Sequence, residues 1–228
     1  MKRKVLVGLF VSSLALVAVS LSPAFSSSDG SSARRVVGAA RNGRSSIELI
    51  GLIQQDGANF VGYGYLTHLS GLNDSLLFTD PADQSEATAR FTFVAESTLD
   101  KRSTVNNVVN IASSGDLAIY FHRDGAGADF AQPDSFQSAK QLASLNIRFQ
   151  NILNIQTPGP PARGITTLFA DSRQREAAGF RLQGRRFLFG TVGLRHRFEA
   201  AGEGVRPDPT VEPPQTTTTF AGNARVAR

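Results

Sequence analysis

The sequence contains no cysteine and no tryptophan, a single methionine and only three histidines in 228 residues. Without thiols there can be no disulfide, no thiolate metal site and no cysteine nucleophile, so packing and hydrogen bonding must carry the stability. His68, His122 and His196 are far apart, and no two form the His-x-His or His-x-x-x-His pair from which a metal site usually starts. No Gly-x-Ser-x-Gly elbow, Walker loop or Gly-x-Gly-x-x-Gly turn occurs, which removes the local signals of hydrolases, nucleoside-triphosphate sites and dinucleotide cofactors. Asp124-Gly125-Ala126-Gly127-Ala128-Asp129 resembles a calcium loop in composition, but a bound ion needs about six oxygen ligands and two acids are present. It reads as a turn. The chain therefore reads as non-catalytic rather than as an enzyme, with no cofactor or metal expected.

One long apolar run is present, and it lies at the start. Lys2, Arg3 and Lys4 precede an uncharged stretch from Val5 to Leu21, followed by Ser22-Pro23-Ala24-Phe25-Ser26. A basic region, a short apolar core and small residues at a cleavage point form a secretory signal over residues 1–26. Retention as an anchor is the alternative, and it would give the chain its one membrane association. Both readings send the remainder to the secreted or extracytoplasmic side, because the basic cluster stays in the cytoplasm. Export without cysteine fits a bacterial host.

Nucleic acid is not an expected partner. The formal net charge is +5, but three of the 24 basic residues are Lys2, Arg3 and Lys4, and the remaining 21 face 19 acids. The distribution is less even than the sum. Arg173, Arg175, Arg181, Arg185, Arg186, Arg195 and Arg197 are interrupted by Glu176 alone, an asymmetry that can steer an anionic partner.

Residues 27–45 are rich in Ser, Gly, Ala and Arg and read as a flexible linker, and residues 205–228 as an extended Pro/Thr-rich tail whose end, from Phe220, could return as an edge strand. Between them proline occurs only at 81, 133, 158, 160 and 161, each in a polar or Gly-rich interruption. Proline cannot donate to a central ladder, so its exclusion from the apolar runs marks those runs as strands. Alternation is clearest from Ala143 to Ile155, where Leu145, Ile147, Phe149, Leu153 and Ile155 share one face and a bend is expected near Asn151. Nine or more such runs, with tight turns at Gln183-Gly184 and Val192-Gly193, predict an all-β, mostly antiparallel barrel over residues 46–204, with a two-sheet sandwich as the alternative. Pro133-Asp134-Ser135 before Phe136 is the one place where a helical turn competes. In general outline the exported, many-stranded pattern resembles lipocalin-like and dirigent or allene oxide cyclase-like barrels, without the diagnostic motifs of either, so no site residue follows from the resemblance.

Two candidate sites emerge. Arg185, Arg186, Arg195 and Arg197 on the late hairpins would bind an anionic cell-surface polymer. Alternatively, Tyr63, Tyr65 and His196 would line an interior pocket for a small hydrophobic ligand or a cofactor-free reaction. Gly62 and Gly64 flank Tyr63 and mark either a curved wall or room for neighbouring aromatic rings.

Overall fold

A computed structural model describes residues 34–227, so the segment read as a secretory signal, 1–26, and residues 27–33 of the linker lie outside the described residues. The strands are β1 (Arg35–Val37), β2 (Ser45–Asp56), β3 (Asn59–Leu69), β4 (Phe91–Val105), β5 (Val108–Phe121), β6 (Lys140–Thr157), β7 (Ala162–Ala177), β8 (Gly179–Leu182), β9 (Arg185–Phe189), β10 (Arg195–Arg206) and β11 (Gln215–Ala227). Strands β2 to β7 follow one another around a closed barrel that β10 and β11 complete, every neighbouring pair antiparallel. The fold is thus an eight-stranded barrel and not a sandwich. A second, three-stranded sheet of order β1-β9-β8 has its β8–β9 hairpin inserted between β7 and β10 in the chain.

Alternation of side chains sets which face points inward. Leu49, Phe93, Leu117, Ile147, Leu168 and Ala170 are buried there, with Phe149, Phe198 and Phe220 packed against them. These side chains nearly fill the middle of the barrel, leaving a cavity of about 50 Å³. The two glycines of β3 have different neighbours. Gly64 lies opposite Gly51 on β2, and the Phe93 ring covers both. Gly62, opposite Ile53, has room around it.

Three expectations need correction. The Thr-rich segment after residue 205 is not a tail: β-branched threonines suit the pleated wall, and Thr218, Phe220 and Ala224 point inward as β11, hydrogen-bonded to β10 and β2. Part of the linker is ordered as β1, parallel to β9. Strand β6 does not break at Asn151. Its register shifts lie at Ser144/Leu145 and Ile155/Thr157, while Asn151 keeps its inward position and accepts a hydrogen bond from Thr166 Oγ1. The competing helix is a 3-10 turn, Pro133–Gln137, that buries Phe136 before β6 begins.

The two ends of the barrel differ. At one, the small sheet acts as a plug: Phe180 lies 5.4 Å from Phe91 and 4.8 Å from Phe121, ring centre to ring centre, and stacks on Phe187 at 5.3 Å. Polar bonds fasten it to the wall. Gln174 Nε2 donates to Phe189 O (2.9 Å) and His196 Nε2 lies 3.2 Å from Gly38 O, while the bond from Gly190 N to Val37 O (2.8 Å) ties the end of β9 to β1 within the plug. The hairpin between β8 and β9 turns at Gln183-Gly184, both at positive φ, as a two-residue turn requires. The opposite end carries the connections at 57–58, 106–107, 158–161 and 207–214, and it remains open.

Candidate functional site

The outer side of the plug carries a groove. Its floor is the aromatic cluster, Phe121, Phe180 and Phe187, and its rim is Arg34, Arg123, Lys140, Arg181 and Arg186, enclosing about 660 Å³. All five cations are exposed, and no carboxylate lines the groove. Each arrives from a different place: Arg34 leads into β1, Arg123 follows β5, Lys140 opens β6, and Arg181 and Arg186 lie on β8 and β9. Only closure of the barrel and docking of the plug bring them together.

Two features of this cluster oppose folding in isolation. Arg181 and Arg186 are directly paired across the β8–β9 hairpin, and like charges facing one another on a sheet are destabilising. Neither they nor the other three cations form an ion pair among the described residues, where the pairs found are His68–Asp74, Arg163–Glu203, Arg175–Asp116 and Arg206–Glu212. Lys140 is held in place by donating to the Gly179 carbonyl (2.8 Å), and Arg34 packs over the same glycine. Positive charge is therefore concentrated above an apolar floor, a combination suited to anionic groups carried on an apolar or carbohydrate backbone.

The residues expected from sequence separate into five places. Arg186 is in the groove. Arg185 lies around the edge of the plug, where it lines a neighbouring depression with Arg35. Arg195 and Arg197 stand on the outer wall of β10: Arg195 is opposite Arg173, whereas Arg197 is opposite Asp171, which is also opposite Arg148 on β6. That wall is electrically mixed. His196 points inward at 1% exposure, its Nε2 committed to Gly38 O and its Nδ1 without a partner. Burial holds its pKa below the ordinary histidine value, partly offset by that backbone bond.

Tyr63 and Tyr65 do not meet His196. They point out of the barrel and are covered by the connections before β4 and before β6, with Tyr63 against Phe136 (5.2 Å between ring centres) and Tyr65 edge-on to Phe78 (6.0 Å). The Tyr63 hydroxyl donates to Phe130 O (3.1 Å) and that of Tyr65 to Gln84 O (3.3 Å). Burial raises both phenol pKa values, with Glu86 and Asp83 adding to the effect at Tyr65. These are structural roles. Tyr63→Phe should cost about 1 kcal/mol, the usual net worth of one hydrogen bond, measured by urea denaturation.

Arg34, Arg123 and Lys140 carry little in the sequence to mark them. The Arg34-Arg35 doublet is the one local signal, and it lies far in sequence from the hairpins it joins. Fold and groove together define a class: a closed eight-stranded antiparallel barrel, plugged at one end by a small sheet that presents a cationic surface. No protein-family model, curated protein or solved structure matches the chain.

Proposed function

We propose that the protein is an exported, non-catalytic binding module whose plug groove engages an anionic cell-surface polymer, one with repeated phosphate or carboxylate groups. The observation that carries this reading is the five-cation rim without counter-charges, including the facing Arg181–Arg186 pair. An anion bridging the two guanidiniums turns a repulsive pair into two charge-assisted hydrogen-bonding sites. The secretory segment read from residues 1–26 puts such a surface where extracytoplasmic polymers are found.

Inorganic polyphosphate and polygalacturonate are suitable probes, titrated into the mature protein at low and high salt. Affinity should fall as ionic strength rises, because exposed charges more than a Debye length apart, about 8 Å at 0.15 M, are screened. Arg181→Glu with Arg186→Glu should weaken binding by on the order of 100-fold, taking about tenfold, or 1.4 kcal/mol, for each charge-assisted hydrogen-bonding site removed. Arg195→Glu with Arg197→Glu, on the mixed wall, should change it several-fold at most. Salt-insensitive binding, no binding, or equal effects of the two double variants would reject the proposal.

A further inference from the structure

The open end of the barrel holds a second cavity, far from the groove. Phe121, at the groove, and Val109, at the open end, are twelve residues apart on β5, which corresponds to roughly 40 Å of strand at ~3.3 Å per residue. The cavity measures about 150 Å³, and most of its lining is apolar, from Ile53, Phe60, Val109, Ile111, Leu153 and Ile155. An apolar cavity of ~150 Å³ accommodates a molecule of about benzene size.

Its polar groups are largely satisfied by one another. Thr216 Oγ1 donates to Gln55 Oε1 (3.2 Å), Gln55 Nε2 donates to Gly57 O (2.7 Å), and Thr166 Oγ1 donates to Asn151 Oδ1. Arg206 is different. Its Nη2 is fixed by Val211 O (2.7 Å) and Glu212 Oε1 (2.9 Å), which orient the guanidinium of this cavity-lining residue, yet its Nε–H is buried without an acceptor. A buried unmade hydrogen bond to a charged donor is costly, and a ligand that supplied the acceptor would recover that cost. Arg102, on β4 across the mouth from Arg206, also lines the cavity, is exposed and forms no ion pair among the described residues, so it adds a second positive charge to the opening. Around the opening, Val105, Val108 and Val211 are large apolar side chains left in solvent.

We infer that this open end binds a small carboxylic acid with an apolar alkyl or aryl body, the body entering between Ile111, Leu153 and Ile155 and the carboxylate pairing with the Arg206 guanidinium. The site is independent of the groove and of what the groove binds. A second charge, or a body much longer than the cavity, is selected against by Glu212 and by the filled middle of the barrel.

Benzoate and benzyl alcohol, titrated separately into the mature protein and followed by methyl chemical shifts, test this directly. Benzoate should bind with saturable shifts at Ile111, Leu153 and Ile155 and at least about tenfold more tightly than the alcohol, tenfold corresponding to 1.4 kcal/mol. Arg206→Gln should erase the preference for the acid. Ile111→Phe, which fills the cavity, should abolish binding of both while polyphosphate binding stays as in the wild type. Equal affinity for acid and alcohol, no saturable shift, or benzoate displaced by polyphosphate would overturn the inference. The wild-type comparison needs no variant to fold.

Discussion

Gly64→Val should destroy the barrel's stability, by on the order of 4 kcal/mol or more, whereas Gly62→Ala, two residues away on the same face of β3, should melt at or slightly above the wild-type temperature. At Gly64 a Cβ would stand 2.6 Å from the Gly51 Cα and 2.9 Å from the Phe93 ring, and would also strike the Ile50 carbonyl oxygen. Two of these neighbours are backbone of the paired strand, which cannot turn aside. Phe93 is hardly freer, with Phe220 6.3 Å away across the core. Overpacking of a dense interior costs about 1–3 kcal/mol when side chains alone must move, and more when backbone must. At Gly62 the nearest atom, Ile53 Cγ1, would be 3.4 Å away, an ordinary van der Waals distance, and φ is not in the left-handed region. Alanine there fills space and reduces the entropy of the unfolded chain, a gain of about 0.4–1 kcal/mol. Thermal unfolding of the two variants side by side is the measurement, and similar losses in both would show that the wall at Gly64 yields.

Acid should open the structure earlier than carboxylate protonation alone would. His122 and His196 are both buried, and burial lowers both pKa values, each partly countered by a bond to backbone, at Phe136 and Gly38. The unfolded chain takes up these protons near pH ~6.5, while the folded chain resists them until lower pH. Below about pH 6.5 the unfolded state thus binds more protons, and stability falls with decreasing pH by up to about 1.4 kcal/mol per pH unit for each histidine. The loss ends once pH passes the lowered folded-state values; above about pH 6.5 the full contribution is present. Chemical denaturation at about pH 7.5, 6.0 and 5.0 should show the decline, and His196→Gln should reduce its slope by about half. A flat profile across that range would mean that both imidazoles protonate freely in the fold. Burial makes that hard, with the partners acting in the other direction. His122 Nε2 and Thr92 Oγ1 are 2.9 Å apart, and the Thr92 hydroxyl donates to Phe136 O and so accepts from the ring N–H.

The barrel was legible because period-two alternation and the placement of proline report strands locally. Its eighth strand was legible only from Phe220 on, and only as a possible edge, because Gln215–Ala227 follows a proline-rich connection and its inward positions include Thr216 and Thr218, which read as polar. Asn151 misled for a related reason: a polar residue at an inward position looks like a break in a strand, when here it belongs to the polar ring inside an open mouth. Half of the groove was legible. The arginines of β8 and β9 announced themselves by density, but Arg34, Arg123 and Lys140 are single charges at element ends and join the cluster only through topology. Tyr63 and Tyr65 alternate correctly, yet alternation does not reveal that an outer loop will cover the outward face with Phe130 and Phe136.

Strand β11 has one more implication, for the order in which the molecule can assemble. It sits between β10 and β2 and pairs Gln215 with Asp56 and Ala224 with Ile47, partners from opposite ends of the barrel sequence. Until that segment is delivered, β2 and β10 present unpaired edges and the phenylalanine-lined interior stays open to solvent. Nonlocal pairing of this kind is slow to nucleate and vulnerable to aggregation while it waits. A chain threaded outward from its N-terminus would remain open for most of its passage, and would lock only when its final strand arrived.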